Sequence, residues 1–161
     1  MIDMNPIVSD FRVITKKIIE IEMAHPDAKL PKCADAGSSG FDLCSVESVV
    51  IEPGERRIVS TGLKWNPNDN TLEMQIRPRS GLAAKYGITV LNAPGTIDAS
   101  YRGIIGVILY NTSDQAYQIP VGERIAQAVI AKVEKGFEFE VVKKVSESER
   151  GEGGFGSTGK M

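Results

Sequence analysis

The chain has 161 residues, of which 42% are hydrophobic and 25% charged, and its net charge is −2 at neutral pH. That balance excludes wholesale disorder, and the length suffices to bury about two-thirds of the unfolded surface in one core. It also excludes a sequence-wide basic field, so no nucleic-acid partner is expected and any anionic ligand has to be held by local cations. Apolar runs such as Val49–Ile51 and Ile104–Tyr110 are too short for a membrane span. Met1 to Lys17 mixes Asp, Pro, Arg and Lys with its apolar residues, unlike the core of a signal peptide. The two cysteines, Cys33 and Cys44, read as free thiols of a reducing compartment. A cytoplasmic location follows, or the host cytoplasm for a viral chain.

Sixteen glycines and eight prolines punctuate the chain into short segments. Residues 1–17 form an expected N-terminal extension without a clean period. Ile18–Glu22 alternates and meets the turn at His25-Pro26-Asp27. Ser48–Ile51 ends at Pro53-Gly54. Arg57–Trp65 is a third strand, closed by Asn66-Pro67-Asn68-Asp69-Asn70. Thr71–Arg77 follows, and Ser80–Tyr86 then has the composition of two helical turns, with Ser80 as N-cap and Gly87 as the stop. Ile88–Leu91, Gly103–Tyr110, Ala116–Ile119, Ile125–Lys132 and Phe137–Val142 complete the strands. Their Val, Ile, Thr and aromatic content points to an all-β sandwich or barrel. The domain is expected over 18–145, with 146–161 as a flexible arm that has one large apolar side chain, Phe155, before Met161.

That arm holds two formal matches to phosphate-loop patterns, Gly154-Phe-Gly-Ser-Thr-Gly159 and Gly154 to Lys160. Both patterns require a following helix whose N-terminus receives the phosphate, and the sequence offers none after Lys160. The chemistry that remains is a glycine strap with exposed N–H groups, two hydroxyls, the Arg150 guanidinium and one flat ring.

Five stretches in order carry a stronger signal: Gly40-Phe-Asp-Leu-Cys-Ser45, Arg77-Pro-Arg-Ser-Gly-Leu-Ala83, Asn92 to Gly103, Gly122-Glu-Arg-Ile-Ala-Gln127 and Arg150 to Gly159. Together they resemble the five motifs of the trimeric dUTP pyrophosphatases (dUTPases), over about residues 18 to 161. The resemblance implies a jelly-roll-like all-β subunit with one short helix. It also implies a homotrimer that exchanges C-terminal arms, so that each site draws on more than one copy. The implied reaction is hydrolysis of dUTP to dUMP and pyrophosphate with Mg²⁺ on the phosphates. That reaction keeps uracil out of DNA and supplies dUMP for thymidylate synthesis.

Asp98 by itself reads as a turn-capping aspartate; the resemblance to the third motif implies that it is the general base for a water attacking the α-phosphorus. By residue type Tyr101 is a half-buried strand tyrosine, and the resemblance places its ring against the deoxyribose, excluding a 2′-hydroxyl. Asn92 and the backbone of Gly95, Thr96 and Ile97 resemble the hairpin that reads uracil through main-chain donors and acceptors, with Gly106 adding backbone. Arg79, Ser80 and Gly81 resemble the phosphate-binding second motif, whose start also reads as an ordinary helix cap. Gln127 is implied at a phosphate. No metal ligand is implied directly, Asp42 and Gln127 reaching Mg²⁺ through water. In the arm, Arg150 would meet the phosphates, Phe155 would stack on uracil, and Gly156, Ser157 and Thr158 would wrap the γ end.

Two positions depart from the family pattern: Ser100 stands where many relatives have a second acid, and Ile104 where a polar residue is common. His25, the sole histidine, reads as a surface turn residue, so histidine-based nucleophilic chemistry is not expected. Two other functions use the same framework, a dCTP deaminase-type relative and a regulatory trimer that binds a partner. The pyrophosphatase-type third motif and the glycine-rich fifth argue against the deaminase.

Overall fold

The computed structural model describes residues 17–154. Eleven strands and one helix follow each other among these residues: β1 (Glu20–Met23), β2 (Phe41–Cys44), β3 (Val49–Ile51), β4 (Arg56–Ser60), β5 (Leu63–Asn66), β6 (Leu72–Arg77), α1 (Ser80–Tyr86), β7 (Ile88–Val90), β8 (Gly95–Ile97), β9 (Gly106–Asn111), β10 (Tyr117–Ile119) and β11 (Arg124–Lys132). Every pairing is antiparallel. The sheets run β2-β11-β6-β8, β4-β9-β7, β1-β5 and β3-β10. The fold is all-β and jelly-roll-like.

Period-two burial drives the assembly. Leu72, Met74 and Ile76 of β6 point inward while Glu73 and Gln75 alternate outward, and Val107, Leu109 and Asn111 do the same on β9. Of these, Met74, Ile76, Val107 and Leu109 meet Leu43, Trp65, Ile88, Ile105 and Ile125 in a single core cluster. Asn111 is buried at no cost in unmet bonds: its amide donates to the Ile51 and Gln115 carbonyls, and its oxygen accepts from Ser113.

The expected strand over Arg57–Trp65 is divided into β4 and β5. Gly62 sits at φ +65° in the break, and a Cβ there would lie 2.6 Å from His25 Cβ and 2.9 Å from Val46 Cγ1. The chain turns here at a point only glycine occupies without strain. Gly62→Ala is therefore expected to lower unfolding stability by about 2 kcal/mol, measured by urea denaturation.

Other expectations also change. Arg79, not Ser80, is the N-cap of α1, and no side chain caps the helix; Gly87 closes it at φ 65° as expected. The predicted strand over Gly103–Tyr110 starts only at Gly106. β2 has no counterpart among the expected strands, and β8 falls in the stretch expected to resemble a uracil-reading hairpin. Phe137–Val142 is not a strand: Phe139 and Val141 are fully exposed and Phe137 is 73% exposed. A strand needs a neighbour for its backbone groups, and this segment has none among the described residues of one copy. The expected N-terminal extension, apart from Lys17, lies outside the described residues. Among them, no helix is long and apolar enough to cross a membrane.

Candidate active site

Three distant stretches meet at one end of the four-stranded sheet. Asp42 on β2 faces Gln127 on β11, and Gln127 faces Arg77 on β6, whose chain continues through Pro78 and Arg79 into α1. The Asp42 carboxylate sits between two guanidiniums: Arg124 Nη1 donates to Oδ2 at 3.0 Å, and Arg79 Nε lies 3.4 Å from Oδ1. Arg79 Nη1 also donates to the Arg124 carbonyl at 3.0 Å, and Gln127 Nε2 donates to the Pro78 carbonyl at 3.0 Å. Ser80 and Gly81 open the helix beside them. The structure thus brings the residues of the first, second and fourth motifs into one cluster.

A register shift makes this possible. On β11, Arg124 pairs with Cys44 and Gln127 with Asp42, so one extra residue is accommodated between Arg124 and Ala126. Ile125 and Ala126 are both buried as a result, and Arg124 shares a face with Gln127 although the two are three positions apart. Strict alternation would turn Arg124 to the opposite side. A single-sequence pattern does not reveal the register shift that turns Arg124 toward Asp42, and Arg124 is not among the expected site residues, although it stands in the quoted fourth motif. Its preceding turn is fastened to the end of α1: Tyr117 Oη donates to Glu123 Oε1 at 2.6 Å, and the Tyr117 ring lies 5.0 Å from that of Tyr86. Burial, then the bond to Glu123, pushes the Tyr117 phenol up and keeps it a donor.

Gly40 explains the glycine of the first motif. A Cβ there would run into Gln127 Oε1 and come within 3.1 Å of its Cβ and Cδ. Beside the cluster opens a cleft of about 590 Å³ lined by Lys29, Lys32, Cys33, Cys44 and Arg124, an electropositive wall around the one carboxylate of Asp42. Burial pushes the Cys44 thiol up, which disfavours its thiolate form. Both cysteines are free thiols. His25 lies in the surface turn, its Nδ1 accepting from the Asp27 N–H at 3.2 Å.

The third-motif residues form a second cluster on β8 and the loop after it. Gly95 is buried opposite Ile76, and its missing side chain leaves room for the Asn92 amide, whose Nδ2 would be 3.2 Å from a Cβ. Thr96 is exposed, and Ile97 packs against the core. Asp98 is exposed beyond the strand end, beside Glu73, Ser100 and Lys135. Its carbonyl accepts from the Tyr101 N–H at 3.1 Å and from Trp65 Nε1 at 3.2 Å. Tyr101 Oη donates to the Ile104 carbonyl at 3.0 Å, and the ring lies so close over Gly103 that a Cβ there would be 2.6 Å from Cζ. Gly106 belongs to the other sheet, opposite Ser60, where Ile58 Cγ2 would meet a Cβ at 2.8 Å.

The two clusters stay apart within one copy. Gln127 is level with Arg77 on β6, whereas Ile97 is level with Met74 and Asp98 lies beyond it. The separation is roughly 13 Å along the strand, with two strand spacings to be crossed as well. Arg150 belongs to neither cluster, its Nε donating to the Gly153 carbonyl at 2.8 Å. Phe155, Gly156, Ser157 and Thr158 lie outside the described residues.

Comparison with known proteins places this geometry in context. The family model described as dUTPase matches residues 26–159. The deoxyuridine 5′-triphosphate nucleotidohydrolase of Clostridium tetani is 50% identical over 147 residues, covering 91% of this chain and all of the relative. The enzyme of the same name from Nautilia profundicola is 52% identical over 142 residues, 88% of this chain and 99% of the relative. Among solved structures, the dUTPase of Staphylococcus bacteriophage 80alpha, a G164S mutant with dUpNHpp, superposes with a TM-score of 0.81 at 27% identity, covering 90% of this chain and all of that one.

Proposed function

This chain belongs to the dUTPase family, and from that premise we propose that it hydrolyses dUTP to dUMP and pyrophosphate with Asp98 as the general base at a site shared between copies. The observation that carries the shared site is the separation of the two clusters. Phosphate-binding chemistry gathers around Asp42, Arg79, Arg124 and Gln127, while the carboxylate suited to activate water stands on β8 well away from it. Along the strand and across the sheet the two clusters lie about 16 Å apart at the backbone, so one copy offers no compact site in which a single nucleotide meets both. A neighbouring copy presenting its Asp98 edge to this cluster completes the site, and a homotrimer supplies three such junctions.

Two surface features support that assembly. The segment Phe137-Glu-Phe-Glu-Val alternates like a strand yet holds its apolar side chains in solvent. It gains a backbone partner and a dry face if it pairs with another copy. Ile58, Leu91 and Ile104 are large apolar residues exposed on or beside the β4-β9-β7 sheet, a surface that contact between copies would cover. Sedimentation of the intact protein is expected to report three subunits; an active monomer contradicts the shared site.

In the reaction, Arg79, Ser80, Gly81 and Gln127 hold phosphate oxygens by charge and by N–H and O–H donors. Asn92 and the backbone of Gly95, Thr96, Ile97 and Gly106 read the uracil edge. Tyr101, its ring held on Gly103, leaves no space for a 2′-hydroxyl. Asp98 takes the proton from a water aligned with the α-phosphorus. Arg150, Phe155, Gly156, Ser157 and Thr158 close over the nucleotide from the arm 146–161. The described residues contain no group of three or more His, Cys, Asp or Glu that encloses a metal, and Asp42 is engaged with two guanidiniums. Such a surface suits Mg²⁺ that arrives on the triphosphate and keeps its waters, with Asp42 and Gln127 in reach through water. The ion would supply charge neutralisation of the phosphates.

Pyrophosphate release from dUTP, UTP, dTTP and dCTP with Mg²⁺, with ammonia assayed for dCTP, tests the activity. Rapid cleavage of dUTP alone is expected, and dUTP left intact overturns it. Gly40→Ala is expected to push Gln127 off the Pro78 carbonyl and to raise KM for dUTP several-fold with a folded protein; an unchanged KM argues against Gln127 as a phosphate ligand. The physiological reading is removal of dUTP and supply of dUMP in the cytoplasm.

A further inference from the structure

We propose that the end of β5 acts as a positioning clamp for the loop that carries Asp98, through the Trp65 indole and through the Arg102 guanidinium anchored on Asn66. This rests on the reading of Asp98 as the base. Asp98 is exposed, and among the described residues no donor is bonded to its carboxylate. Its orientation therefore has to come from the main chain that bears it.

Trp65 is 1% exposed, and core packing alone would be served by a purely apolar side chain of similar size. Its indole N–H instead donates to the Asp98 carbonyl at 3.2 Å, the same oxygen that accepts the Tyr101 N–H. With both lone pairs engaged, the peptide plane after Asp98 has little freedom to rotate. Arg102 then grips the next turn from outside. Its Nη1 donates to the Ala99 carbonyl at 2.6 Å and the Tyr101 carbonyl at 3.0 Å, and its Nη2 donates to Asn66 Oδ1 at 2.8 Å. Asn66 is itself held, its amide nitrogen donating to Glu20 Oε2 at 2.7 Å and Asn68 Oδ1 at 2.8 Å. Adjacent residues of one strand, Trp65 and Asn66, thus hold the loop from its buried and exposed sides. A planar fork makes three bonds at fixed angles, which a lysine ammonium does not reproduce.

Neither Trp65 nor Arg102 is assigned a contact with substrate, and Tyr101, which is, keeps its own bond to the Ile104 carbonyl, so their removal should disturb the geometry of the attack more than the affinity. Trp65→Phe and Arg102→Gln are each expected to lower kcat for dUTP about tenfold while KM and the Kd for dUpNHpp stay within about twofold, since small misplacements of a catalytic group cost rate. Arg102→Lys should remain low. If Trp65→Phe does not fold, Arg102→Gln, an exposed position, carries the test alone, with a cooperative melting curve as the check on folding. Normal kcat in the clamp variants beside an inactive Asp98→Asn overturns this inference and leaves the base reading standing. Parallel loss of dUpNHpp affinity, or full activity in Arg102→Lys, also overturns it. An active Asp98→Asn removes the base reading and this inference with it.

Discussion

Asp98→Asn is expected to lower kcat by about three orders of magnitude, within the range that a positioned general base contributes, while dUpNHpp still binds. The amide keeps the size and hydrogen-bonding reach of the carboxylate but does not take a proton from water at neutral pH. Asp98 lies outside the core and its side chain supports no structural bond among the described residues, so the fold should be indifferent to the change. The Asp98 carbonyl, which receives Trp65 and Tyr101, is untouched by the substitution. Single-turnover pyrophosphate release measures the rate, and titration with dUpNHpp measures the affinity. Turnover within tenfold of the parent removes Asp98 from the role.

The second large effect is expected from truncation after Glu149, which deletes Arg150, Phe155, Gly156, Ser157 and Thr158. Among the described residues the core cluster runs from Ala28 to Ala128 and includes none of Arg150–Gly154, so a folded assembly should remain. Among the described residues the Arg150 guanidinium bonds to the nearby Gly153 carbonyl and to no part of the core. On the proposed role the strap would act when substrate is present: ordering it would cost conformational entropy, and closure would expel water and strengthen every charge–phosphate contact inside. A loss of at least a hundredfold in kcat/KM is expected, about 2.7 kcal/mol of transition-state stabilisation. The triphosphate should drive closure and a diphosphate should not, because only the former offers a γ group to Ser157 and Thr158. Near-parental rates from the truncated chain would sink the strap.

The elements legible in the sequence were those whose cause is local. Leu72–Arg77 shows its two faces by alternation, Asn66 to Asn70 declares a turn by composition, and Gly87 stops α1 because glycine takes the left-handed conformation freely. Three-residue strands rich in Val and Ile, such as Val49–Ile51 and Ile88–Val90, were legible, whereas Phe41–Cys44 and Gly95–Ile97, preceded by Gly40 and by Pro94, show no such composition. Phe137–Val142 has a clear strand pattern and is not a strand in the single copy, because alternation specifies a face but not a partner.

By itself the sequence determined the all-β class, the short helix and the family, since turn chemistry, period-two burial and five ordered motifs are written in consecutive residues. Only the tertiary structure decided that one added residue on β11 turns Arg124 toward Asp42, that Trp65 and Asn66 bond to the Asp98 loop, and that the cluster around Asp42, Arg79, Arg124 and Gln127 stands apart from Asp98 in one copy. These depend on register between strands far apart in the chain. A shift of one residue there reverses a side chain's face, and no local pattern encodes it.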